Sequence, residues 1–442
     1  MPTSRSQQAT LRIVAWLSFC ACRGTAVAAQ ANSPALVLPE PSGTSGVGRV
    51  TRYWVDSSRA AFVDPSVAQR RELMVDIWYP TTRGARGEPA SYLPLLPTLR
   101  RVASDSVLRR RFSPAYALME AGRLTTHAIE GAPAHCRDGG CPFLVFSHGG
   151  GEDRSFYTAQ FEELASHGYV VAAVAHTFDT HVVVFPDARV IRAAPQPRDT
   201  VPDDPTLPVW RRELAREQRS DAHLRRLATV EALDIRFVLD QLMNERGNAQ
   251  LRSPLFRQLD LERVGALGHS LGGEAAAVAC QLDRRLKACL NQDGAMHGRP
   301  FWRDASGRTM SQPFMYFTRD NPRSQIPDSV LAQLQITRRE MDSLSADIAS
   351  GPERLLRDIP GGAYLVTLMI PAASHMAFSD EPLMQAAGDS SKAAALLALG
   401  AVNRYTRAFF DKTLLGQSGT PLDVRRPSDS GVVTVQMFGP KR

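Results

Sequence analysis

The 442 residues read as an α/β protein with a mostly parallel central sheet flanked by helices. Short apolar runs alternate with stretches of helical spacing through most of the chain. The central runs are apolar throughout rather than alternating, as in strands covered on both faces. Apolar residues make up 43% and charged residues 22% of the chain, so it can bury a substantial core, as one large domain with insertions or two ordinary ones.

From the N-terminus, the first 28 residues carry Arg5, Arg12 and Arg23 but no acid. Residues 13–22 form an apolar core about half the length that spans a bilayer. Ala26-Val27-Ala28 fits the small-residue cleavage pattern of a secretory signal. Residues 1–28 are therefore expected to be a signal peptide cleaved near Ala28, and the mature protein to be periplasmic or secreted. Residues 29–48, rich in Ser, Pro, Gly and Ala, read as a linker. A single domain is expected over 49–415, followed by a polar tail over 416–442 with a short apolar run at 432–438. No later segment has the length and apolarity of a membrane span.

Within the domain, residues 71–80 alternate and predict an early strand, and 93–123 carry helical spacing with arginines on one face. Residues 142–147 predict a buried parallel strand, 161–167 a helix and 169–174 the next buried strand. A polar, proline-rich excursion covers 177 to about 215. Leu224, Leu227, Ile235, Val238, Leu239 and Leu242 then mark a strong helix over 223–246. Strands follow at 264–267, 287–291 and 313–317, with a helix from 274. Residues 324–358 are charged and helical, a candidate cap or lid insertion. Residues 364–369 form the last expected core strand and 393–415 the last long helix.

The formal charge is +7, three units of which lie in the first 28 residues. No basic stripe interleaves with aromatics, so no nucleic-acid partner is expected. Cys136, Cys141, Cys280 and Cys289 remain after the signal. Cys136 and Cys141 flank a tight loop suited to a small bridge, and Cys280 with Cys289 is a second candidate pair; spacing leaves the connectivity open. None has zinc spacing with a partner, and neither metal nor cofactor is expected.

The chemistry concentrates in Gly268-His269-Ser270-Leu271-Gly272, between an apolar run and an alanine-rich helical run. Small flanking residues permit a tight strand-to-helix turn that exposes the serine hydroxyl at a helix start. A serine needs a base, and His375, the sole histidine beyond residue 297, follows the last core strand. The base needs a carboxylate. Asp293 is preferred, with Asp320 the alternative, since each follows a strand. Ser147-His148-Gly149-Gly150-Gly151 ends another strand, where successive glycines can turn backbone N–H groups toward an oxyanion. The donors would be the amides of Leu271 and Gly150, with Gly149 the fallback. His148 and His269 read as loop supports. Phe156, Met296, Phe301, Trp302 and Met376 are candidates for an acyl pocket or for ordinary packing.

With these motifs in view, the chain resembles an α/β-hydrolase of the platelet-activating-factor acetylhydrolase-like group of serine esterases. The resemblance rests on residues 75–80, 146–149, 164–172 and 268–273, and on His375 with Phe378 and Asp380 behind it. It implies the α/β-hydrolase fold and an acid shortly after the elbow helix, which matches Asp293. It also implies hydrolysis of short or oxidised acyl chains of phospholipids, or of simpler carboxylic esters. Gly150 departs from the bulkier residue of mammalian members, and 324–358 is longer than their counterpart. The expected partner is a small ester or lipid. An amidase or peptidase of the same fold and a non-catalytic hydrolase-like binding protein are the competing readings.

Overall fold

The computed structural model describes residues 36–60, 70–94, 98, 118, 124–194, 206–247, 253–296, 310–320, 328–371, 373–386, 388–423 and 431–440. The expected signal peptide, Phe301, Trp302 and most of 93–123 lie outside them.

Nine strands of the main sheet carry the architecture: β1 (Gly46–Ala60), β2 (Arg70–Thr81), β3 (Cys141–Ser147), β4 (Val170–Ala175), β5 (Leu259–His269), β6 (Leu286–Gln292), β7 (Phe314–Arg319), β8 (Ala363–Leu368) and β9 (Val433–Phe438). Their spatial order is β9-β8-β7-β6-β5-β3-β4-β2-β1, with the two-residue strand Ile129–Glu130 on the β1 edge. The six strands from β4 to β8 in that order are parallel, while β1, β2 and β9 pair antiparallel at the flanks.

Helices cover both faces, as parallel strands require. Alternate residues of each strand face opposite layers. Leu144 and Phe146 of β3 pack with Phe161 and Leu164 of α1 (Thr158–Ser166) and with Tyr405 and Phe409 of the long C-terminal helix. Phe143 and Val145 pack with Ile235, Val238 and Leu239 of α2 (Val209–Gly247) and with Ala275 and Ala279 of α3 (Leu271–Leu282). These two layers make the α/β-hydrolase fold, with β3 to β8 all ending at one rim.

In the 324–358 segment, Thr337 caps α5 (Arg338–Leu356) through a reciprocal capping box with Glu340. Before it, α4 (Asp328–Leu334) and the start of α5 gather Leu331, Ile336 and Met341 around Trp210 at the start of α2. Leu355 and Leu356 at the other end join the core, so α5 is also the crossover between parallel β7 and β8. The C-terminal layer is completed by α6 (Asp389–Leu415), which Gly416 ends in the left-handed conformation at φ 65°.

Besides α2, which starts at Val209 and not at 223, three elements depart from the sequence expectation. β1 starts inside the expected linker and runs to Ala60. It was hidden because it buries Arg49 and Asp56, which are paired with Glu130 at 2.9 Å and Arg59 at 2.5 Å. A hairpin of Val182–Val184 with Val190–Arg192 folds within the 177–215 excursion. The apolar run of the tail becomes β9, which pairs along all of β8, so 364–369 is not the last strand of the sheet. Both cysteine pairs are bonded, Cys136 to Cys141 and Cys280 to Cys289, which settles the connectivity. Among the described residues, no helix is long and apolar enough to cross a membrane.

Candidate active site

Ser270 sits between β5 and α3 at φ 55°, ψ −121°, a conformation few non-glycine residues adopt. The turn holds because its backbone is bound on both sides. Ser270 N–H donates to the Gln292 carbonyl at 2.8 Å, and its own carbonyl accepts from Gly273 and Glu274. Gly272 cannot be replaced without a shift, because a Cβ there would lie 2.1 Å from the Ser147 carbonyl oxygen. At Gly268 a Cβ would lie 2.3 Å from the Gly272 oxygen. The sequence pattern thus follows from contact of the elbow with the end of β3.

Asp293 follows β6, also at positive φ (52°). Its N–H donates to the Phe317 carbonyl at 2.7 Å, which fixes it against β7. The carboxylate accepts from Thr318 Oγ1 at 2.7 Å and Arg319 Nε at 3.1 Å, and it faces His375 Nδ1 at 2.8 Å. Burial works to raise its pKa, but the His375 hydrogen bond, the His375 and Arg319 charges and the Thr318 hydroxyl together hold it below the usual carboxylate range. Since Asp293 can only accept, His375 Nδ1 carries a proton and Nε2 is left to act as a base. Asp320, the alternative acid, is exposed at the end of β7, and its N–H is used by the Leu368 carbonyl.

His375 opens a short 3₁₀ turn, His375–Phe378, after β8. The turn is anchored by buried Asp380, whose N–H donates to the Phe156 carbonyl and whose carboxyl accepts from Tyr92 Oη at 3.0 Å and Ala159 N–H at 3.3 Å. The His375 ring lies against that of His269, with centroids 4.5 Å apart, and Phe378 stacks on His269 with centroids 5.7 Å apart. His375 therefore stands beside the residue that precedes Ser270. The Ser270 side chain caps no group of α3, and among the described residues no hydrogen bond joins it to His375.

His269 is more than a spacer in the elbow. Burial and the neighbouring His375 push its pKa down to about 3, so it is neutral. Its Nε2 faces the His375 carbonyl at 2.9 Å and must donate, which leaves Nδ1 to accept from Tyr157 Oη at 2.9 Å. Tyr157 Oη in turn accepts from Gly149 N–H at 3.2 Å. A single chain of hydrogen bonds thus runs from the glycine loop through the elbow to the His375 turn.

That chain also separates the two glycine candidates. Gly149 N–H is engaged by Tyr157, whereas among the described residues Gly150 N–H has no hydrogen-bond partner. A Cβ on Gly150 would lie 3.3 Å from Leu271 Cδ2, so the loop packs directly on the first residue of α3. Leu271 N–H, at the first helical position, has no intrahelical acceptor. Two unengaged N–H groups therefore adjoin Ser270. Of the acyl-pocket candidates, Phe156 is buried and Met296 and Met376 are half-buried.

Sequence reasoning missed Tyr157, Thr318 and Arg319. The last two directly follow the apolar part of β7, one and two residues before Asp320, so strand-end position could have found them. Nothing local marks Tyr157.

The platelet-activating factor acetylhydrolase, isoform II, family model matches residues 66–340, well over half of the chain. The chain belongs to this family. A probable 1-alkyl-2-acetylglycerophosphocholine esterase of Arthroderma benhamiae is 27% identical over 378 residues, 84% of this chain and 82% of that protein. The platelet-activating factor acetylhydrolase of Gallus gallus is 25% identical over 183 residues, 40% of this chain and 43% of the relative. Among solved structures, a ferulic acid esterase from Streptomyces cinnamoneus superposes with a TM-score of 0.61 at 29% identity, covering 91% of this chain and 99% of its own. Family and neighbours agree on carboxylic ester hydrolysis, and this chain is a carboxylic ester hydrolase.

Proposed function

We propose that the chain is an exported serine esterase in which Ser270 attacks the acyl carbonyl. His375 Nε2 takes the serine proton and returns it to the leaving alcohol. Asp293 holds the ring's tautomer and stabilises the imidazolium. The amides of Leu271 and Gly150 receive the oxyanion, and water then resolves the acyl-enzyme by the same route in reverse. The observation that carries this reading is the 2.8 Å His375–Asp293 contact, with the His375 ring packed beside the Ser270 elbow. Catalytic hydrogen bonds of this kind commonly tighten only when substrate is bound.

The substrate class is short acyl esters of small alcohols or of phospholipid-type lipids. It is supported by relatives named for 1-alkyl-2-acetylglycerophosphocholine and ferulic acid esters. Export is supported by the two disulfides, which persist in oxidising compartments, and by the signal-like N-terminus. The segment around α4, packed on the start of α2, would serve as a cap.

Ser270→Ala is expected to lower kcat on a p-nitrophenyl acyl ester by at least ~10³-fold with folding retained, and a fluorophosphonate probe to label wild type at Ser270. Retained turnover in the variant, or labelling elsewhere, would reject the assignment.

A further inference from the structure

We propose that Ser147, His176, Asp234 and Glu231 form a second, fully buried serine–histidine–carboxylate set that does no chemistry on substrate but fixes the glycine loop 148–151 over the elbow. The inference rests on the proposed role of that loop in holding the oxyanion.

Ser147 ends β3 and directly precedes the loop. Its carbonyl already abuts Gly272, and its Oγ lies 2.8 Å from His176 Nε2 and 2.9 Å from Glu231 Oε2. His176 follows β4, and its Nδ1 lies 2.9 Å from Asp234 Oδ2. Glu231 and Asp234 are three residues apart on α2, hence on one face of the helix. Asp234 is also paired with Arg59 at 2.9 Å and with Arg71. Ser147, His176, Asp234 and Glu231 are each at most 1% exposed. The connectivity of a catalytic triad is therefore complete here, yet no substrate can reach it.

The protons in this set follow from the donor inventory. Although burial works to raise it, the charge of Arg71 and the hydrogen bonds of His176 and Arg71 hold Asp234 well below the usual carboxylate range. Ionised Asp234 only accepts, so His176 Nδ1 carries the proton. Burial and the arginine charges keep the ring neutral, against the pull of Asp234. Nε2 must then accept the single Ser147 proton, and Glu231 Oε2 must donate to Ser147 Oγ. Burial and the adjacent Asp179 charge raise Glu231 well above the usual range, which maintains its acid form. The set thus locks the rotamer of Ser147 from two sides.

The rest of the loop is tied to the same region. His148 Nε2 faces Thr180 Oγ1 at 2.6 Å, and the His148 and His176 rings lie 5.1 Å apart. Gly151 N–H donates to Asp179 Oδ2 at 3.4 Å. With Gly149 held by Tyr157, the residues on both sides of Gly150 are fixed and its N–H remains for a ligand. Placement errors of about 1 Å in such a donor cost on the order of 10²-fold in rate.

The test is Ser147→Ala, assayed for kcat and KM on a p-nitrophenyl acyl ester, for affinity toward a trifluoromethyl ketone of the same acyl length, and for melting temperature. The trifluoromethyl ketone forms a hemiketal oxyanion on the nucleophilic serine and so reports the oxyanion donors directly. We expect kcat and ketone affinity to fall together by ~10–100-fold with KM within about threefold, in a protein that still unfolds cooperatively. A folded variant whose kcat and ketone affinity both stay within about threefold of wild type would overturn the proposal. If Ser147→Ala does not fold, Glu231→Gln and Glu231→Ala decide. The glutamine can still donate to Ser147 Oγ and should lose clearly less activity than the alanine, and equal losses would overturn the proposal. Fluorophosphonate labelling of wild type in the same preparations separates the two levels. Absence of label at Ser270 defeats the serine-esterase reading, whereas label at Ser270 with an unaffected Ser147→Ala defeats only this inference.

Discussion

Asp293 and Asp320 both end strands of the parallel sheet, and what separates them is the direction of a single peptide. Asp293 at φ 52° turns its carboxylate to His375, where Thr318 and Arg319 complete its acceptor sites. Asp320 points to solvent. Asparagine tolerates the same left-handed backbone but presents an amide to His375 and stabilises the wrong tautomer. Asp293→Asn should therefore lower kcat by ~10³–10⁴-fold with little change in stability, while Asp320→Asn should stay within about threefold of wild type. Steady-state kinetics of the two variants checks this, and a larger loss at Asp320 would move the acid to β7.

At the scale of elements, α3 has two functions at opposite ends. Its first residue, Leu271, has an N–H beside Ser270 with no acceptor in the helix, and its last turn is bonded through Cys280 to Cys289 of β6. Both cysteines are buried, and the bridge closes a separation of 9 residues. Loop-closure entropy for that length is about 2–3 kcal/mol. The double variant Cys280→Ala, Cys289→Ala should lose stability of that order in a urea titration while retaining kcat, because the elbow is held at the other end by Gln292, Gly273 and Glu274. A fall in kcat without a fall in stability would show that the bridge acts on the elbow instead.

For the molecule as a whole, buried titratable groups set opposing pH trends. Glu162, on α1, accepts from the His127 and Ala128 N–H groups at 2.8 Å each, and burial raises its pKa to about 7 against those bonds. Its folded pKa exceeds the unfolded one, so its contribution is full below about pH 4.5 and is lost as pH rises through 7. His148, near 4, and His269, near 3, have the opposite sign: burial keeps them neutral, and their contribution is lost as pH falls below about 6.5. Glu162→Gln removes only the first trend. Relative to wild type, it should gain on the order of 2 kcal/mol between pH 5 and pH 7.5 in unfolding free energy. A difference independent of pH would mean that Glu162 is ionised in the folded protein throughout that range.

The succession of the central strands and helices along the chain, the Ser270 elbow, the glycine loop and the candidate His375 were legible in the sequence. Each rests on a local rule: doubly covered strands are apolar throughout, a strained turn needs glycine, and a base must follow a strand end. β1 escaped because its buried Arg49 and Asp56 break the pattern that local rules read, and Glu130, the partner of Arg49, is brought to it only by folding. The contacts that favour Asp293 over Asp320 and Gly150 over Gly149, and both disulfide pairings, arise only in the tertiary structure, because each depends on distances between residues that sequence spacing does not constrain. The buried set beneath the glycine loop belongs there too. Ser147, His176 and Asp234 lie on three elements and become one hydrogen-bonded unit only where β3, β4 and α2 pack together.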